Sequence, residues 1–175
     1  MPGTHINGNG GTANGGKAPR ALAIYLKDHH AAGSAGARLA ARIAESVSAE
    51  DEARADLARI AQEVQEDLHT LERVMLAEKV RPNAAKDTVA KSLELLGRFK
   101  PNGRMTGRAP LSDVIELETL LVGITGKAAL WKSLAEGGTK ASVDLDELLG
   151  RADAQRVTVS RCRDRAASRA FARHS

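Results

Sequence analysis

The chain has 175 residues, a size typical of one domain with a single core, and its composition of 42% hydrophobic but only 2% aromatic residues favours helices over sheets. The net charge is +4, and the lone Cys162 has no partner in its own chain, so no intrachain disulfide can form. Because no apolar run approaches the roughly 18 residues of a membrane span, we expect a cytoplasmic protein with no membrane partner.

Residues 1–19 consist mainly of Gly, Asn, Thr and Pro, which is typical of a disordered tail, so we expect a single helical-bundle domain over 20–175. Four long helices are predicted there by apolar residues that recur every three or four positions. Their approximate bounds are Arg20–Val47, Ser48–Val80 with Ser48 as the N-cap, Pro110–Glu136 and Val143–Ala172. A shorter amphipathic stretch at 84–99 predicts an additional connecting helix. The third long helix is apolar on all sides, so we expect it to be heavily covered.

The short loops within each pair of helices predict two antiparallel hairpins that form an all-α four-helix bundle. Four stretches resemble a branch of the ferritin-like superfamily that lacks a complete di-iron motif. They are YLKDHHAAGSAG, GRFKPNGR, LSDVIELETL and GITGKAALW. The resemblance implies a ferritin-like bundle whose connector crosses it, so that the third helix runs parallel to the second. From the residues alone, the antiparallel direction stays open.

Ferritin-like di-iron proteins hold metal with one Glu from each of two helices and a Glu-x-x-His pair from each of the other two, all facing inward. The second predicted helix has one such pair, Glu66 and His69. At about 100° per residue, these side chains point roughly 180° and 120° away from the apolar face that contains Leu57, so we expect them to face outward. The last helix has no histidine before His174, so the second pair is missing.

Other polar residues are predicted to lie on or beside inward faces and to form a buried polar cluster. They are Asp28, His29, Asp67, Glu72 and Glu118, together with Gln155, Arg156 and Arg163 of the last predicted helix. One interpretation is a structural histidine that is hydrogen-bonded to a carboxylate. The alternative is a metal site, because imidazole and carboxylate suit zinc, iron or manganese. If the third helix is parallel to the second, Glu118 lies about ten residues, roughly 15 Å, from His29, and if it is antiparallel the two are level.

Gly33 and Gly36 lie in the interior of the first predicted helix, where glycine is destabilising by roughly 0.5–1 kcal/mol relative to alanine. With Ala32 and Ala37 they form a groove of small side chains, which lets a large ring or another backbone approach closely. We expect Trp131 to fill this groove, unless a second subunit of a homodimer does.

Gly123-Ile-Thr-Gly-Lys127 lacks the spacing of a phosphate-binding loop and lies within an apolar helix, so we expect Lys127 to reach solvent or a carboxylate. Arg161, Arg165 and Arg169 form a basic surface on the last helix that suits phosphates. Because aromatic residues that could stack on bases are scarce, charge-driven binding of duplex DNA is the weakest hypothesis.

These observations predict a non-catalytic interaction or scaffold protein that self-associates as a homodimer. The alternative is a divergent ferritin-like di-iron carboxylate protein with oxidase or storage activity. The first interpretation requires no cofactor, whereas the second requires iron or another divalent metal. No small-molecule substrate can be identified from the sequence.

Overall fold

The computed structural model describes residues 17–47, 51–82 and 109–172. This part of the chain forms four long helices and no strand, which confirms the prediction of an all-α four-helix bundle. The helices are α1 (Arg20–Ser46), α2 (Asp51–Ala77), α3 (Pro110–Gly137) and α4 (Leu145–Ala170). None of them is long and apolar enough to cross a membrane. The predicted connecting helix at 84–99, and the predicted tail as far as residue 16, lie outside the described residues.

Local signals set the ends of α3 and α4. Pro110 occupies the first turn of α3, where its missing N–H breaks no helical hydrogen bond. Gly138 follows α3 with a φ of 74°, a left-handed conformation that glycine adopts without steric cost. Asp144 caps α4, because its side chain accepts a hydrogen bond from the backbone N–H of Glu147 at 2.9 Å.

Two side-chain contacts fix the direction of α3 relative to α1. Tyr25, near the start of α1, donates a hydrogen bond from its hydroxyl to Ser133 Oγ, near the end of α3, at 3.1 Å. Arg42 Nη2, near the end of α1, lies 3.3 Å from Glu116 Oε1, near the start of α3. The two helices are therefore antiparallel.

α1 and α2 form the first hairpin, in which His30 Nε2 lies 3.2 Å from Glu72 Oε1, and α3 and α4 form the second. Since α2 and α3 are both antiparallel to α1, they are parallel to each other. This is the direction implied by the ferritin-like resemblance, and it separates Glu118 from the level of His29 along the bundle.

The apolar core consists of two clusters along the bundle axis. One cluster includes Ile43 and Ile60, towards the end of α1. The other includes Leu26 and Trp131, towards the start of α1. A band of polar side chains and small residues, at the level of Gly33, separates the two clusters.

Candidate binding cavity

A cavity of about 450 Å³ lies between α1, α2 and α3, at the level of this band. Most of its lining is aliphatic or glycine, and His29, Asp67 and Lys127 are the principal polar side chains. Two of the lining residues, Val122 and Gly123, are exposed on the outer face of α3, so the cavity meets solvent beside them. The expectation that α3 is heavily covered does not hold at this position, since Val122 is 72% exposed.

Glycines on two helices form the walls of the cavity. Gly33 and Gly36 of α1 and Gly123 and Gly126 of α3 all line it, so each helix contributes one Gly-x-x-Gly pair. The antiparallel register set by the Tyr25–Ser133 contact places the two segments at the same height. A Cβ atom added at Gly36, Gly123 or Gly126 would meet no atom of residues 17–47, 51–82 and 109–172 within 4 Å, whereas one at Gly33 would lie 3.2 Å from Leu68 Cδ1.

These distances correct the prediction that Trp131 fills the groove of small residues on α1. Trp131 is fully buried and borders the same cavity, but no side chain of the described residues lies within 4 Å of a Cβ atom placed at Gly36. Among the described residues, the indole N–H of Trp131 has no hydrogen-bond partner. A buried polar group without a partner is destabilising by roughly 1–3 kcal/mol.

A buried ion pair lies at the polar side of the cavity. The ammonium group of Lys127 donates a short hydrogen bond to Asp67 Oδ2, and a second bond of 2.6 Å to Gln155 Oε1. Asp67 and Gln155 are each only 1% exposed. Arg151 Nη1 lies 3.3 Å from Asp67 Oδ1, so two cations face this one carboxylate. The sequence predicts that Lys127 reaches either solvent or a carboxylate, and it reaches the carboxylate of Asp67. The contact lies inside the bundle.

The polar cluster continues from Gln155 to the surface of the bundle. Gln155 Nε2 donates a hydrogen bond to Glu63 Oε2 at 2.9 Å. Glu63 in turn accepts one from Arg59 Nη1 at 2.6 Å. Side chains of α2, α3 and α4 therefore form a single network, which lowers the energetic cost of burying Asp67 and Lys127. Among the described residues, Asp67 Oδ1 accepts no hydrogen bond and has only the ion-pair contact with Arg151.

Burial lowers the pKa of two groups at the cavity. It lowers the pKa of the Lys127 ammonium, an effect that the negative charge of Asp67 opposes. Burial also lowers the pKa of His29, and the neighbouring Asp28 opposes this in part. The ring of His29 packs edge-on against Tyr25, with 4.4 Å between the ring centroids. Both shifts mean that the charged form of each group is less favourable here than it is in water.

The predicted polar cluster forms only in part: Asp67 and Gln155 are buried and share the contact with Lys127, whereas Arg156 is exposed. His29 and Asp67 line the cavity, but Asp28, Glu72 and Glu118 are exposed. The prediction that Glu118 is buried is wrong. Its neighbour one turn on, Val122, is exposed as well, so this face of α3 points outward although it contains apolar residues. Glu72 faces His30 on the surface of the first hairpin.

The Glu-x-x-His pair of α2 lies on the outside of the bundle. Glu66 is exposed, and its Oε2 accepts a hydrogen bond from Arg151 Nη1 at 3.2 Å. His69 is exposed as well, and its Nε2 lies 3.0 Å from Gln65 Nε2. Within the described ranges, no group of three or more His, Cys, Asp or Glu side chains is arranged to hold a metal ion.

The arginines of the predicted basic surface are exposed along α4. Arg161 Nη2 lies 3.3 Å from Asp56 Oδ2 of α2, so part of its charge is neutralised by a neighbouring helix. Arg165 and Arg169 follow at one-turn intervals on the same helix. These three residues lie away from the cavity.

Sequence reasoning missed the glycines of α3 as site residues, whereas it placed Gln155 on the inner face of the last helix, where it is buried. A signal for the glycines was present, because Gly-x-x-Gly occurs once in each of two helices that an antiparallel pairing brings together. Comparison of the chain with protein-family models, with curated proteins and with solved structures finds no match. The function is therefore argued from the geometry of the described residues.

Proposed function

We propose that this chain is a non-catalytic binding protein that holds an apolar small molecule in the cavity between α1, α2 and α3. The observation that carries the proposal is that Gly36, Gly123 and Gly126 keep open a space that side chains could fill. Three helix-interior glycines together cost about 1.5–3 kcal/mol of stability relative to alanine. A cavity maintained at this cost is expected where a ligand occupies it.

The lining of the cavity indicates what kind of ligand it suits. Its volume of about 450 Å³ falls in the range of small-molecule sites, and its walls are mainly apolar. Burial of the ligand's own apolar surface contributes roughly 25 cal/mol per Å². The unpartnered N–H of Trp131 favours a ligand that also has a hydrogen-bond acceptor.

The architecture supports two further parts of this proposal. The parallel direction of α2 and α3 is the one expected of a ferritin-like bundle, so we propose that the fold is ferritin-like. The location that we propose is the cytoplasm, because the single Cys162 is a free and buried thiol.

A scaffold role with self-association is the second candidate. The large exposed side chain of Val122, beside the exposed Gly123, favours it, because a helix of a second copy could pack on such a surface. Analytical ultracentrifugation tests this role, which predicts a dimer, and a monomer at all concentrations would contradict it. The di-iron alternative has less support, because Asp67 is already paired with Lys127 and Arg151.

The binding proposal can be tested with N-phenyl-1-naphthylamine, a neutral dye that fluoresces in apolar surroundings, and with 2-naphthalenemethanol as a competitor. We expect saturable binding by the wild-type chain. Gly36→Leu and Gly123→Leu place a side chain in the cavity and are expected to abolish binding. Gly150→Leu is the matched control, because Gly150 is an exposed glycine of α4 that does not line the cavity.

Circular dichroism would establish that each variant remains helical. Equal dye binding by all the variants would mean that the dye binds elsewhere and would remove the proposal. Absence of saturable binding by the wild-type chain, for both the dye and the alcohol, would also contradict it.

A further inference from the structure

Lys127 is a primary amine at the wall of an apolar cavity. Its side chain is only 14% exposed, and its ammonium group contacts Asp67 and Gln155. An ammonium group has three N–H donors, and the described residues supply acceptors for two of them. One direction at Nζ therefore remains for a ligand.

Such surroundings favour a nucleophilic lysine. Desolvation in an apolar pocket makes the neutral amine easier to form, and the neutral amine is the form that attacks a carbonyl carbon. Burial lowers the pKa of Lys127 in this way. Asp67, in direct hydrogen-bond contact, is positioned to take the proton that the ammonium group loses.

We propose that Lys127 binds the carbonyl group of an apolar aldehyde or ketone in the cavity as a Schiff base. This inference rests on the proposed function, since it assumes that the cavity admits an apolar molecule, and it adds the chemical class of the ligand.

The protons and charges of the step balance within the cluster. The ammonium group transfers a proton to Asp67, and the Nζ lone pair attacks the carbonyl carbon. A proton then moves from nitrogen to the former carbonyl oxygen, which gives a neutral carbinolamine. Asp67 returns its proton to this hydroxyl, water leaves, and the C=N bond forms as a protonated imine.

The surroundings of Lys127 suit this product. The protonated imine has the same charge as the ammonium group that it replaces, so Asp67 remains paired with a cation. Arg151, at 3.3 Å from the other oxygen of Asp67, keeps this carboxylate in place. Gln155 is held by Glu63 at 2.9 Å, which fixes the second acceptor beside Nζ.

The test uses 2-naphthaldehyde and sodium cyanoborohydride, which reduces an imine to a stable secondary amine. Mass spectrometry of the intact chain and of its peptides then locates the adduct. We expect one adduct, on the peptide that contains Lys127. We expect its loss in Lys127→Met and its retention in Lys132→Met, the matched control, because Lys132 is an exposed lysine of the same helix.

Peptide mapping of the wild-type chain identifies the modified lysine directly, so the test does not depend on the folding of Lys127→Met. Adducts spread over the exposed lysines, with none at Lys127, would overturn the inference. Displacement of the dye by 2-naphthalenemethanol separates the two proposals, because this alcohol has the same rings but no carbonyl group. If the alcohol binds and the aldehyde gives no adduct at Lys127, only the Schiff base is wrong. If neither the dye nor the alcohol binds saturably, the proposed function fails as well.

Discussion

Lys127 of α3 and Asp67 of α2 form an ion pair across the diagonal of the bundle, between two helices that run parallel and do not pack side by side. Their side chains reach the centre of the bundle because the small residues of the band leave room there. The pair thus links opposite corners of the fold at the level where the apolar core is interrupted.

Loss of one partner of this pair is expected to be strongly destabilising. Asp67→Ala leaves Lys127 buried without its counterion, and we expect the free energy of unfolding to fall by about 3–5 kcal/mol. Urea unfolding followed by circular dichroism measures this change. Asp153→Asn is the control, because Asp153 pairs with Arg156 on the surface and its loss should cost less than about 1 kcal/mol. Equal losses in the free energy of unfolding for the two variants would contradict the claim that the buried ion pair stabilises the fold more than the surface pair does.

Alanine substitutions of Gly33 and Gly36 in α1 are expected to change the free energy of unfolding by different amounts. Gly36→Ala should raise the free energy of unfolding by about 0.5–1 kcal/mol, because alanine favours the helix and its methyl group would have no atom within 4 Å in the part of the chain that the structure describes. Gly33→Ala should raise the free energy of unfolding by less, because its Cβ would lie 3.2 Å from Leu68 Cδ1, which would have to move. Thermal and urea unfolding of the two variants provide the comparison. A larger increase in the free energy of unfolding for Gly33→Ala than for Gly36→Ala would contradict the open space at Gly36 and the close contact at Gly33.

Glu78 stabilises the turn between α3 and α4. It is 3% exposed, and its Oε1 accepts hydrogen bonds from Thr139 Oγ1 at 3.0 Å and from the backbone N–H of Lys140 at 2.6 Å. Glu78→Ala removes this acceptor, and we expect a loss of about 1.5–3 kcal/mol, as for hydrogen bonds to charged groups.

Hydrogen exchange at the amide of Lys140 reports on the same contact, and it should become faster in Glu78→Ala. Glu136→Ala is a suitable control, because Glu136 is exposed near the end of α3. Unchanged exchange at Lys140 would mean that the turn does not depend on Glu78.

The stability of the bundle is expected to fall in mild acid, in part through His29. Burial lowers the pKa of His29 in the folded chain below its ordinary value of 6.5. Between that lowered pKa and 6.5, the unfolded chain binds the proton more readily, so protonation favours unfolding. The contribution of His29 is complete above pH 6.5 and is lost as the pH falls through the folded pKa.

Urea unfolding at a series of pH values, for the wild type and for His29→Gln, measures this contribution. The decrease in stability below pH 6.5 should be smaller in His29→Gln. His69→Gln, which changes an exposed histidine of α2, should behave as the wild type does. A parallel decrease in all three proteins would assign the acid sensitivity to other groups.

The four helices could be predicted from the sequence because their apolar residues recur with helical spacing over many turns. Asp67 and His29 could be placed near the interior for the same reason. Glu118 could not, because α3 has apolar residues on every side, and this composition does not distinguish its inner face from its outer face. Only the register between helices shows that Lys127 meets Asp67, since 60 positions separate them in the chain.

The division of the apolar core at the level of the cavity has a consequence for cooperativity. Each half of the bundle has its own cluster of packed side chains, and the cavity reduces the contact between them. A compound bound in the cavity would contact both clusters and would fill the space that side chains leave open between them. We expect its uptake to slow amide exchange near Leu26 and near Ile43 together, so that distant ends of the molecule open as one unit.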